Sequence, residues 1–452
     1  MAGHVGVIDI GKSNAKVALV DLGAQREIGV LAMPNRVVRD GPYPHYDTEG
    51  LWGFLLDGLG ALHREHGIDA LTVTTHGAAA ALLDGSGGLA APVLDYEHDG
   101  PDRCAAAYDA VRPGFAETGS PRLPLGLNLG AQLFWQFWSE PRLSERVATV
   151  VTYPQYWVGR LTGVLVNETT SLGCHTDLWN PSAGRFSSLV ERLGLGAKMA
   201  PVARATDRIG TLLPEIAART GLGPVTPVWC GIHDSNASLF PHLARRRPPF
   251  AVVSTGTWVI AMAIGGRAMA LDPVRDTLIN VDAYGDAVPS ARFMGGREFE
   301  VAAQGAAGCE AGNVAAVLER GVMLLPSVEP QSGPFQGRKA GWTVEPEGPG
   351  ERFAAVSFYL AMMTATCLGM IGAEGPVVVE GPFGRNRLYL EMLATALGRP
   401  LLGAGESVTG TSIGAALLTL ERPEPAVADE REVGPEARLA RYAAGWREAV
   451  RV

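Results

Sequence analysis

The sequence predicts an α/β protein built from two similar halves. At 452 residues, the chain is too long for one ordinary domain and long enough for two of about 200 residues each. Runs of β-forming residues alternate with stretches whose apolar residues recur at helical spacing. A hairpin pattern, two β-runs around a glycine-containing polar turn, occurs at residues 5–21 and again at 252–260. The basic run 245–247 and the two prolines after it separate the halves, so we expect domains at 1–244 and 245–452.

The composition argues against several classes of protein. A net charge of −9 disfavours nucleic acid or an anionic membrane as the partner. The first residues lack the charged and apolar regions of a signal peptide, and no uninterrupted apolar run approaches 18 residues. The five cysteines lie far apart without a CxxC pair, which is typical of reduced thiols in a cytosolic protein. We therefore expect a cytoplasmic protein without a nucleic-acid or membrane partner.

The N-terminal hairpin carries residues suited to phosphate and to magnesium. A turn of this make-up directs backbone N–H groups and hydroxyls into one space, which suits phosphate oxygens. Asp9 ends the first β-run, where a carboxylate can bridge to Mg²⁺, and Lys16 adds a compact positive charge one turn on. The predicted phosphate contacts here are Gly11, Lys12, Ser13, Asn14 and Lys16.

Two further stretches complete the minimum equipment for moving a phosphoryl group onto a hydroxyl. The first, 231–234, follows a short apolar run and precedes an apolar-periodic stretch, which predicts a strand, a tight turn and a helix with Asp234 near its N-terminus. The second is the hairpin turn Ser254-Thr255-Gly256-Thr257, where glycine permits unusual backbone torsions. An aspartate at a helix start is often only an N-cap, and a Gly-Thr turn is often only a turn. The presence of two such hairpins favours phosphate-binding turns that serve a catalytic Asp234.

In their order along the chain, these motifs resemble the FGGY family of carbohydrate kinases, in the actin-like ATPase superfamily. Residues 9–16 resemble that family's first phosphate motif, 231–234 the segment with its catalytic aspartate, and 254–257 its second phosphate motif. Residues 377–392 resemble its adenosine motif, although Pro382 and Phe383 interrupt the usual run of glycines. The resemblance covers essentially the whole chain. It implies two actin-like (ribonuclease H-like) α/β domains with an ATP and sugar cleft between them.

The remaining site residues come from the resemblance and from local pattern. A helix is predicted to start after the glycine pair Gly295 and Gly296, where a phosphate can rest on the helix N-terminus. The adenosine motif adds Gly381, Gly384 and Asn386. Family comparison, together with the exits of predicted strands, gives the sugar contacts His76, Asp95, Tyr96, Asn128, His233 and Asp234. For residues 97–99, we favour a solvated loop over a ligand contact.

The predicted reaction transfers the γ-phosphoryl group of ATP, with Mg²⁺ at Asp9, to a hydroxyl of a small carbohydrate, while Asp234 accepts the proton. Glycerol kinases carry an Arg-Glu pair where Gly77 and Ala78 stand, and rhamnulokinases and fuculokinases carry an aspartate where Ala79 stands. We interpret these small side chains as room for a larger sugar. The expected acceptor is a five- or six-carbon ketose or deoxyketose of the L-rhamnulose or L-fuculose type. The alternatives are a xylulose- or polyol-type kinase and, more distantly, an actin-like ATPase or a non-catalytic sugar sensor.

Four other stretches give structural expectations. The aromatic residues at 134–138 predict core packing of an amphipathic helix. The small-residue helix beginning at 410 is expected to pack behind the loop of the adenosine motif. Residues 327–350, rich in proline and glycine, predict a surface loop and are a candidate contact in a homodimer. The charged tail from 421 is expected to be peripheral, with one final helix.

Overall fold

The structure is a computed structural model that describes residues 3–404, 410–424 and 430–451. The chain divides into two compact units. The first comprises Met1–Arg245, Ile279–Ala287 and Val408–Ala426, and the second comprises Arg246–Leu278, Val288–Ser407 and Val427–Val452. The first unit thus includes two segments, Ile279–Ala287 and Val408–Ala426, that lie beyond the boundary predicted between residues 244 and 245.

The elements of residues 3–245 are listed here in chain order. The strands are β1 (His4–Ile10), β2 (Asn14–Asp21), β3 (Arg26–Pro34), β4 (Val37–Val38), β5 (His45–Tyr46), β6 (Ala70–Thr75), β7 (Ala80–Leu83), β8 (Leu89–Ala91), β9 (Thr149–Thr152), β10 (Asn167–Glu168), β11 (Trp179–Asn180), β12 (Arg185–Phe186), β13 (Val202–Ala203), β14 (Arg208–Thr211), β15 (Pro227–Trp229) and β16 (Ile232–His233). The helices are α1 (Thr48–His66), α2 (Ala105–Asp109), α3 (Phe115–Thr118), α4 (Leu129–Ser139), α5 (Leu143–Arg146), α6 (Tyr153–Thr162), α7 (Thr169–Leu172), α8 (Ser188–Arg192), α9 (Pro214–Thr220) and α10 (Asp234–Arg245).

The elements from residue 246 onward follow the same scheme. The strands are β17 (Phe250–Thr255), β18 (Val259–Ile264), β19 (Thr277–Val281), β20 (Ala287–Phe293), β21 (Leu324–Leu325), β22 (Gly341–Trp342), β23 (Val377–Glu380), β24 (Leu401–Ala404) and β25 (Glu430–Val433). The helices are α11 (Gly295–Ala303), α12 (Ala311–Arg320), α13 (Pro349–Met370), α14 (Arg387–Leu397), α15 (Thr411–Leu417) and α16 (Ala437–Ala449).

The main sheet of the first unit has the strand order β14-β15-β6-β1-β2-β3, with β16 also paired to β6. The predicted hairpin is β1 and β2, which pair antiparallel, while β6 runs parallel to β1. Every residue of β6 is buried, as expected for a central parallel strand covered on both faces. Helix α1 is capped at its start by Asp47, whose carboxylate accepts a hydrogen bond of 2.9 Å from Gly50 N. The sheet therefore lines up the carboxyl ends of β1, β6 and β16.

The sheet of the second unit has the same internal order as that of the first. Strands β20, β18 and β17 pair antiparallel in sequence, and β23 and β24 follow in parallel. In the first unit, β3, β2 and β1 are likewise antiparallel and β6 and β15 follow in parallel. This agreement confirms the two similar halves that the paired hairpins predict.

Helix α13 lies in the core of the second unit. Its length and composition alone would allow it to span a membrane, because an 18-residue window reaches a mean hydropathy of 1.6. The helix contains no uninterrupted apolar run of that length, so the sequence pattern did not indicate it. However, 72% of that window is buried inside the protein. The residues packed around it include Phe293, Tyr389 and Trp446, so burial within the unit accounts for its apolar character.

Two expectations about the C-terminal part of the chain are wrong. Helix α16 is not peripheral, because Trp446 is fully buried in the second unit's core and its Nε1 donates a hydrogen bond of 2.8 Å to Leu324 O. Helix α15 does not belong to the unit that holds the adenosine-motif loop. It packs in the first unit against α10, where Gly414 faces the backbone of Ala237. The apolar and small residues of these helices pack against distant segments, which the spacing of residues in the sequence does not identify.

Candidate active site

Three neighbouring parallel strands end together in the first unit, and each has a polar residue near or just after its end. In the register of the sheet, Asp9 of β1 lies opposite Thr74 of β6, and His233 of β16 lies opposite Thr75. His76 follows directly after β6, and Asp234 directly after β16. The carboxyl ends of strands in an α/β sheet are where ligands bind. The strand order thus gathers Asp9, His76, His233 and Asp234 at one edge.

The sharp turn before α10 fixes the position of Asp234. Gly231 has a φ of 79°, and a Cβ placed there would lie 2.5 Å from Val73 O, so both its torsion and its surroundings require glycine. Asp234 is the first residue of α10, as predicted, and the backbone N–H of Ser235 donates to its Oδ1 at 2.6 Å. Within the described chain, Asp234 accepts no bond from the N–H groups further along the first turn, so it does not act as an N-cap.

The environment of Asp234 favours a proton-accepting carboxylate. Its side chain is 33% exposed, and His233 Nε2 lies 3.2 Å from Oδ1. Burial raises the pKa of Asp234, while the nearby His76 ring and the hydrogen bonds from Ser235 oppose that increase. A carboxylate with a raised pKa is a stronger base than an ordinary aspartate. The charge of Asp234 also acts on Asp9 and Tyr96, which places all of these groups in one cluster.

His76 offers an unused acceptor nitrogen. Its Nδ1 lies 2.8 Å from the carbonyl oxygen of Gly77, so this nitrogen carries the proton and donates. Its Nε2 is buried and has no hydrogen-bond partner in the described part of the chain. Burial lowers the pKa of His76 to about 4, so the ring is neutral at pH 7. Buried polar atoms are seldom left unpaired, so this nitrogen points to a hydroxyl donor from a ligand.

Aromatic rings enclose His76. The ring centroids of Tyr46, Tyr153 and Tyr96 lie 5.0, 5.2 and 5.4 Å from that of His76. Sequence reasoning missed Tyr46 and Tyr153, because neither stands in a motif and both reach the site only through the fold. His233 is similarly buried and neutral, since burial lowers its pKa to about 4. It also lies 3.7 Å from Cys174 Sγ, a neighbour that the sequence does not indicate.

Lys12 was predicted as a phosphate contact, but it lies against residues that were predicted to contact the sugar. Its ammonium pairs with Asp95 Oδ1 and lies 3.3 Å from Glu97 Oε2, while the Tyr96 ring centroid is 4.8 Å away. Asp95 and Tyr96 were predicted as sugar contacts, so the structure groups Lys12 with those residues. A contact between Lys12 and the phosphates of ATP stays a prediction.

Asp9 and Lys16 form the second charged pair of the hairpin. Lys16 Nζ lies 3.3 Å from Asp9 Oδ2 and 3.2 Å from Glu27 Oε1, and Ser412 Oγ donates to Asp9 Oδ2 at 3.4 Å. Burial raises the pKa of Asp9, and Lys16 partly opposes that increase. The described residues contain no cluster of three or more candidate metal ligands. The single carboxylate of Asp9 nevertheless fits Mg²⁺, because this ion is commonly held by one or two carboxylates together with substrate phosphates.

The turn of the first hairpin is anchored from one side and open on the other. Gly11 N donates to Asn14 O at 2.9 Å, and Asn35 holds the turn through its backbone N–H to Ser13 O at 2.9 Å and its Nδ2 to Gly11 O at 2.8 Å. Ser13 and Asn14 are exposed. This leaves their polar groups accessible to a ligand, in keeping with the predicted phosphate contacts.

Several residues proposed near the sugar serve the protein's own packing. Asn128 is fully buried and bonds to the backbone of Leu123, Pro121 and His175, which favours a structural role over a sugar contact. Ala79 belongs to the hydrophobic core of the first unit, so its small size does not enlarge a sugar pocket as we had inferred.

Among the clustered aromatics of α4, Trp138 is 57% exposed and lies outside the core, contrary to expectation.

The predicted nucleotide motifs of the second unit surround one cavity of about 950 Å³. Gly256, Thr257 and Phe383 are among its lining residues. Helix α11 begins at Gly295 and so includes the glycine pair that was expected to precede it, and Gly296 N donates to Thr257 O at 3.1 Å, which joins this helix to the hairpin turn. Ser254 is partly buried at the end of β17, where it lies opposite Glu380 of β23.

Some residues of these motifs hold the cavity wall together. Thr255 Oγ1 donates to Glu380 O and accepts from Phe383 N at 3.1 Å, so this hydroxyl links the hairpin to the adenosine-motif loop. Gly384 is needed because a Cβ there would lie 2.5 Å from Ala404 O, and Gly381, with a φ of 81°, sits against the backbone of Thr255. Asn386 caps α14 by accepting a bond of 3.2 Å from Tyr389 N. The loop is therefore fixed by its own contacts, whatever it binds.

Phe383, the residue that interrupts the glycine run, is mostly buried. It packs against Tyr389 and Phe299, with ring centroids 5.3 and 5.9 Å away. It is 7% exposed and still lines the cavity, so it forms part of the apolar wall.

Two sheets of like strand order, each with a glycine hairpin of the phosphate-binding type, place the protein in the actin-like ATPase class. Comparison with known proteins narrows this class to a family. The family model of the N-terminal domain of the FGGY family of carbohydrate kinases matches residues 4–241. The family model of the carbohydrate kinase FGGY C-terminal domain matches residues 247–428. The chain belongs to the FGGY family of carbohydrate kinases.

Individual relatives agree with the family. The crystal structure of a carbohydrate kinase from Novosphingobium aromaticivorans is 36% identical with a TM-score of 0.92, covering 100% of this chain and 99% of that one. An L-fuculokinase from Salmonella typhi is 30% identical over 206 residues, which is 44% of this chain and 42% of that protein. A rhamnulokinase from Bacteroides thetaiotaomicron is 24% identical over 56% of this chain and 53% of its own length. The matches to these two relatives thus span only about half of their length, whereas the structural match confirms the predicted α/β fold over the whole chain.

Proposed function

We propose that the protein phosphorylates a hydroxyl group of a small sugar with ATP, and that Asp234 is the general base. The observation that carries this proposal is the cluster at the strand ends of the first unit. There the partly exposed carboxylate of Asp234, whose pKa is raised, lies near the His76 ring, and the buried Nε2 of that ring has no hydrogen-bond partner among the described residues. A proton acceptor next to an unsatisfied hydroxyl-binding atom is the arrangement that a hydroxyl nucleophile requires.

In the proposed reaction, Asp234 orients one sugar hydroxyl and accepts its proton as the oxygen attacks the γ-phosphorus of ATP. The new O–P bond forms as the bond between the γ-phosphorus and the bridging oxygen breaks, giving a sugar phosphate and ADP. Asp234 is neutral after this step and must lose its proton before the next turnover. Because the transition state of phosphoryl transfer is loose, positioning and charge stabilisation contribute more than the base does. Mg²⁺, held by Asp9 and the phosphates, would neutralise charge on the phosphate oxygens.

The second unit supplies the proposed nucleotide site. The cavity beside Gly256, Thr257 and Gly296 has a volume suited to a nucleotide-sized ligand, and ligand pockets commonly measure about 300–1,000 Å³. Its apolar wall of Phe299, Phe353 and Phe383 is suited to an adenine base, while the glycine turn is suited to phosphates. We assign ATP binding to the domain 245–452 and sugar binding to the domain 1–244.

We propose a five- or six-carbon ketose or deoxyketose of the L-fuculose or L-rhamnulose type as the acceptor. The names of the fuculokinase and rhamnulokinase relatives support this class. So does Asp95, whose carboxylate offers a contact for a hydroxyl other than the one that reacts at Asp234. A xylulose- or polyol-type acceptor is the alternative. The free, mostly buried cysteines support our proposal of a cytoplasmic enzyme.

The test compares two Asp-to-Asn variants in a coupled assay of ADP release, with a panel of L-fuculose, L-rhamnulose, D-xylulose and glycerol. Asp234→Asn keeps the shape and most hydrogen bonds but removes the base, so kcat should fall at least ~10²-fold while a non-hydrolysable ATP analogue still binds. Asp99→Asn is the matched control, because Asp99 lies in the exposed part of the 95–99 cluster and is 62% exposed. It should stay within about twofold of the native protein. Near-native sugar phosphorylation by Asp234→Asn would show that the base is assigned incorrectly.

A further inference from the structure

Lys12 stands in the phosphate-type hairpin turn but lies among the residues assigned to the sugar. Its ammonium pairs with Asp95, lies 3.3 Å from Glu97 Oε2, and sits 4.8 and 5.3 Å from the ring centroids of Tyr96 and Tyr46. The side chain is 20% exposed and that of Asp95 is 6% exposed. Ammonium groups held over aromatic faces and against a buried carboxylate are strongly restrained. The position of this charge is therefore fixed.

The second lysine of the same hairpin faces a different set of carboxylates. Lys16 pairs with Asp9 at 3.3 Å and with Glu27 at 3.2 Å, and Asp9 is the proposed Mg²⁺ carboxylate. Lys12 shares none of these partners, and Lys16 shares none of those of Lys12. One hairpin thus carries two lysines with separate surroundings, so their functions can be tested against each other.

Lys12 and Asp95 both keep hydrogen-bonding capacity for a ligand. An ammonium group has three N–H donors; within the described residues Lys12 donates one hydrogen bond, to Asp95, and the Glu97 carboxylate lies 3.3 Å away as an ion-pair partner. Asp95 uses only Oδ1, which accepts from Lys12, from Tyr46 Oη at 3.3 Å and from Glu97 N at 3.2 Å. Within the described residues, Oδ2 of Asp95 accepts no hydrogen bond. A hydroxyl that donates to this oxygen and accepts from Lys12 would satisfy both groups.

The charges around this position favour an uncharged acceptor. Lys12 and Lys16 pair with the carboxylates of Asp95, Glu97, Asp9 and Glu27, and the charge of Asp234 acts on Asp9. Two positive charges against five negative ones leave an excess of negative charge when all are ionised. A sugar acid would bring another carboxylate into this partly buried cluster, where like charges interact strongly. A neutral sugar does not meet that repulsion.

We propose that Lys12 positions the acceptor sugar and, together with Asp95, restricts the acceptor to uncharged sugars. This proposal rests on the proposed sugar kinase function. Lys12 binds a sugar hydroxyl with a remaining N–H, and the same hydroxyl donates to Oδ2 of Asp95. Lys12 therefore belongs to the acceptor site and makes no essential contact with ATP.

The test measures KM for the best ketose and for ATP in three methionine variants. Lys12→Met should raise the sugar KM about 10- to 100-fold, the loss expected for a hydrogen bond to a charged group, and leave the ATP KM within about twofold. Lys16→Met should have the opposite pattern: it should raise the ATP KM and change the Mg²⁺ dependence of activity, and it should leave the sugar KM nearly unchanged. The exposed Lys339 gives the control Lys339→Met, which should change neither. In the native protein, kcat/KM for D-gluconate should be at least about 100-fold below that for the best ketose.

Three outcomes would overturn the proposal. They are a raised ATP KM with an unchanged sugar KM in Lys12→Met, an unchanged KM for both substrates, and a kcat/KM for D-gluconate that equals that for every ketose. Because Lys12→Met leaves the buried Asp95 without its counter-charge, Lys12→Arg serves as the second variant. It preserves the charge and should fold, and it should still raise the sugar KM because the guanidinium has different geometry.

A binding measurement separates this proposal from the proposed function. Calorimetric titration of L-fuculose and D-xylulose, each without ATP, reports on the acceptor site even if no sugar is phosphorylated. Sugar binding that Lys12→Met weakens, in a protein without turnover, would refute the kinase function and support the role of Lys12. Turnover that is normal in Lys12→Met would refute the role of Lys12 and leave the kinase function standing.

Discussion

Substituting Gly414 by alanine should displace the helix that carries Asp234. Gly414 lies in α15, at its contact with α10. A Cβ at this position would lie 2.7 Å from the carbonyl carbon of Ala237 and closer still to its oxygen, and 3.3 Å from Pro241 Cδ. The obstacle is mainly backbone, which cannot rotate away as a side chain would. Because the oxygen is the nearest atom, helix α10 would have to withdraw by about 1.6 Å to restore an ordinary contact of 3.4 Å.

Two opposing terms set the size of the effect. Alanine is favoured over glycine in a helix by up to ~1 kcal/mol. Overpacking of a tight contact costs about 1–3 kcal/mol and sometimes more. Because the clash is with a carbonyl group, we expect the second term to win and the net loss to reach about 1–3 kcal/mol. Since α10 begins at Asp234, the same movement should lower kcat by on the order of 10²-fold, given that a 1 Å misplacement can cost that much.

The assay compares Gly414→Ala with Gly53→Ala, in thermal unfolding and in the coupled kinase assay. Gly53 also lies within a helix, α1, but a Cβ there meets no atom within 4 Å. Gly53→Ala should therefore keep or raise the Tm, whereas Gly414→Ala should lower it by roughly 3–10 °C. A Gly414→Ala protein as stable and as active as Gly53→Ala would refute the reasoning about this helix contact.

Four further predictions follow from the site and the core. The acid limb of kcat/KM against pH should lie above the usual range of an aspartate, because Asp234 has a raised pKa and activity is lost as pH falls through it; a limb near pH 4 would contradict this. Thr255→Val should lower stability by about 1–3 kcal/mol in urea unfolding and raise the ATP KM, because Glu380 O and Phe383 N lose their partner, while Thr255→Ser should restore both; equal effects of the two variants would count against it. Gly77→Ala should reduce kcat/KM for the sugar at least ~10-fold, since its Cβ would lie 2.8 Å from His233 Nε2, and an unchanged value would place that ring away from the reaction. Trp446→Ala should cost about 3–5 kcal/mol in urea unfolding, and a loss below ~1 kcal/mol would return α16 to the periphery.

The sequence predicted those parts of the site whose signals are local. The hairpins around residues 11–13 and 256–258 each combine two β-runs with a short polar turn, so a few consecutive residues identify them. Asp234 follows from a strand, a glycine and a helix within a dozen residues. Such signals depend only on backbone preference and hydrophobic spacing, which one segment contains in full.

The features that the sequence did not predict depend on contacts between distant segments. Lys12 pairs with Asp95, 83 positions later, and Asp9 accepts from Ser412, 403 positions later. No local pattern records such pairings. The two tryptophans show the same limit, because both stand in helices, yet Trp138 is 57% exposed and Trp446 is fully buried. Which face of a helix is covered depends on its neighbours, and the sequence of the helix alone does not name them.

The late segments α15, β25 and α16 have a consequence for the chain during its synthesis on the ribosome. Domains generally fold as units as they emerge, with the N-terminal one first. Here α15 completes the contact with α10 in the first unit, while Trp446 of α16 fills the core of the second. A nascent chain that has reached residue 400 therefore lacks a helix of one unit and core residues of the other. The first unit remains incomplete until α15 has emerged from the exit tunnel, and the second until residue 446 has emerged, so each exposes apolar surface to chaperones until then.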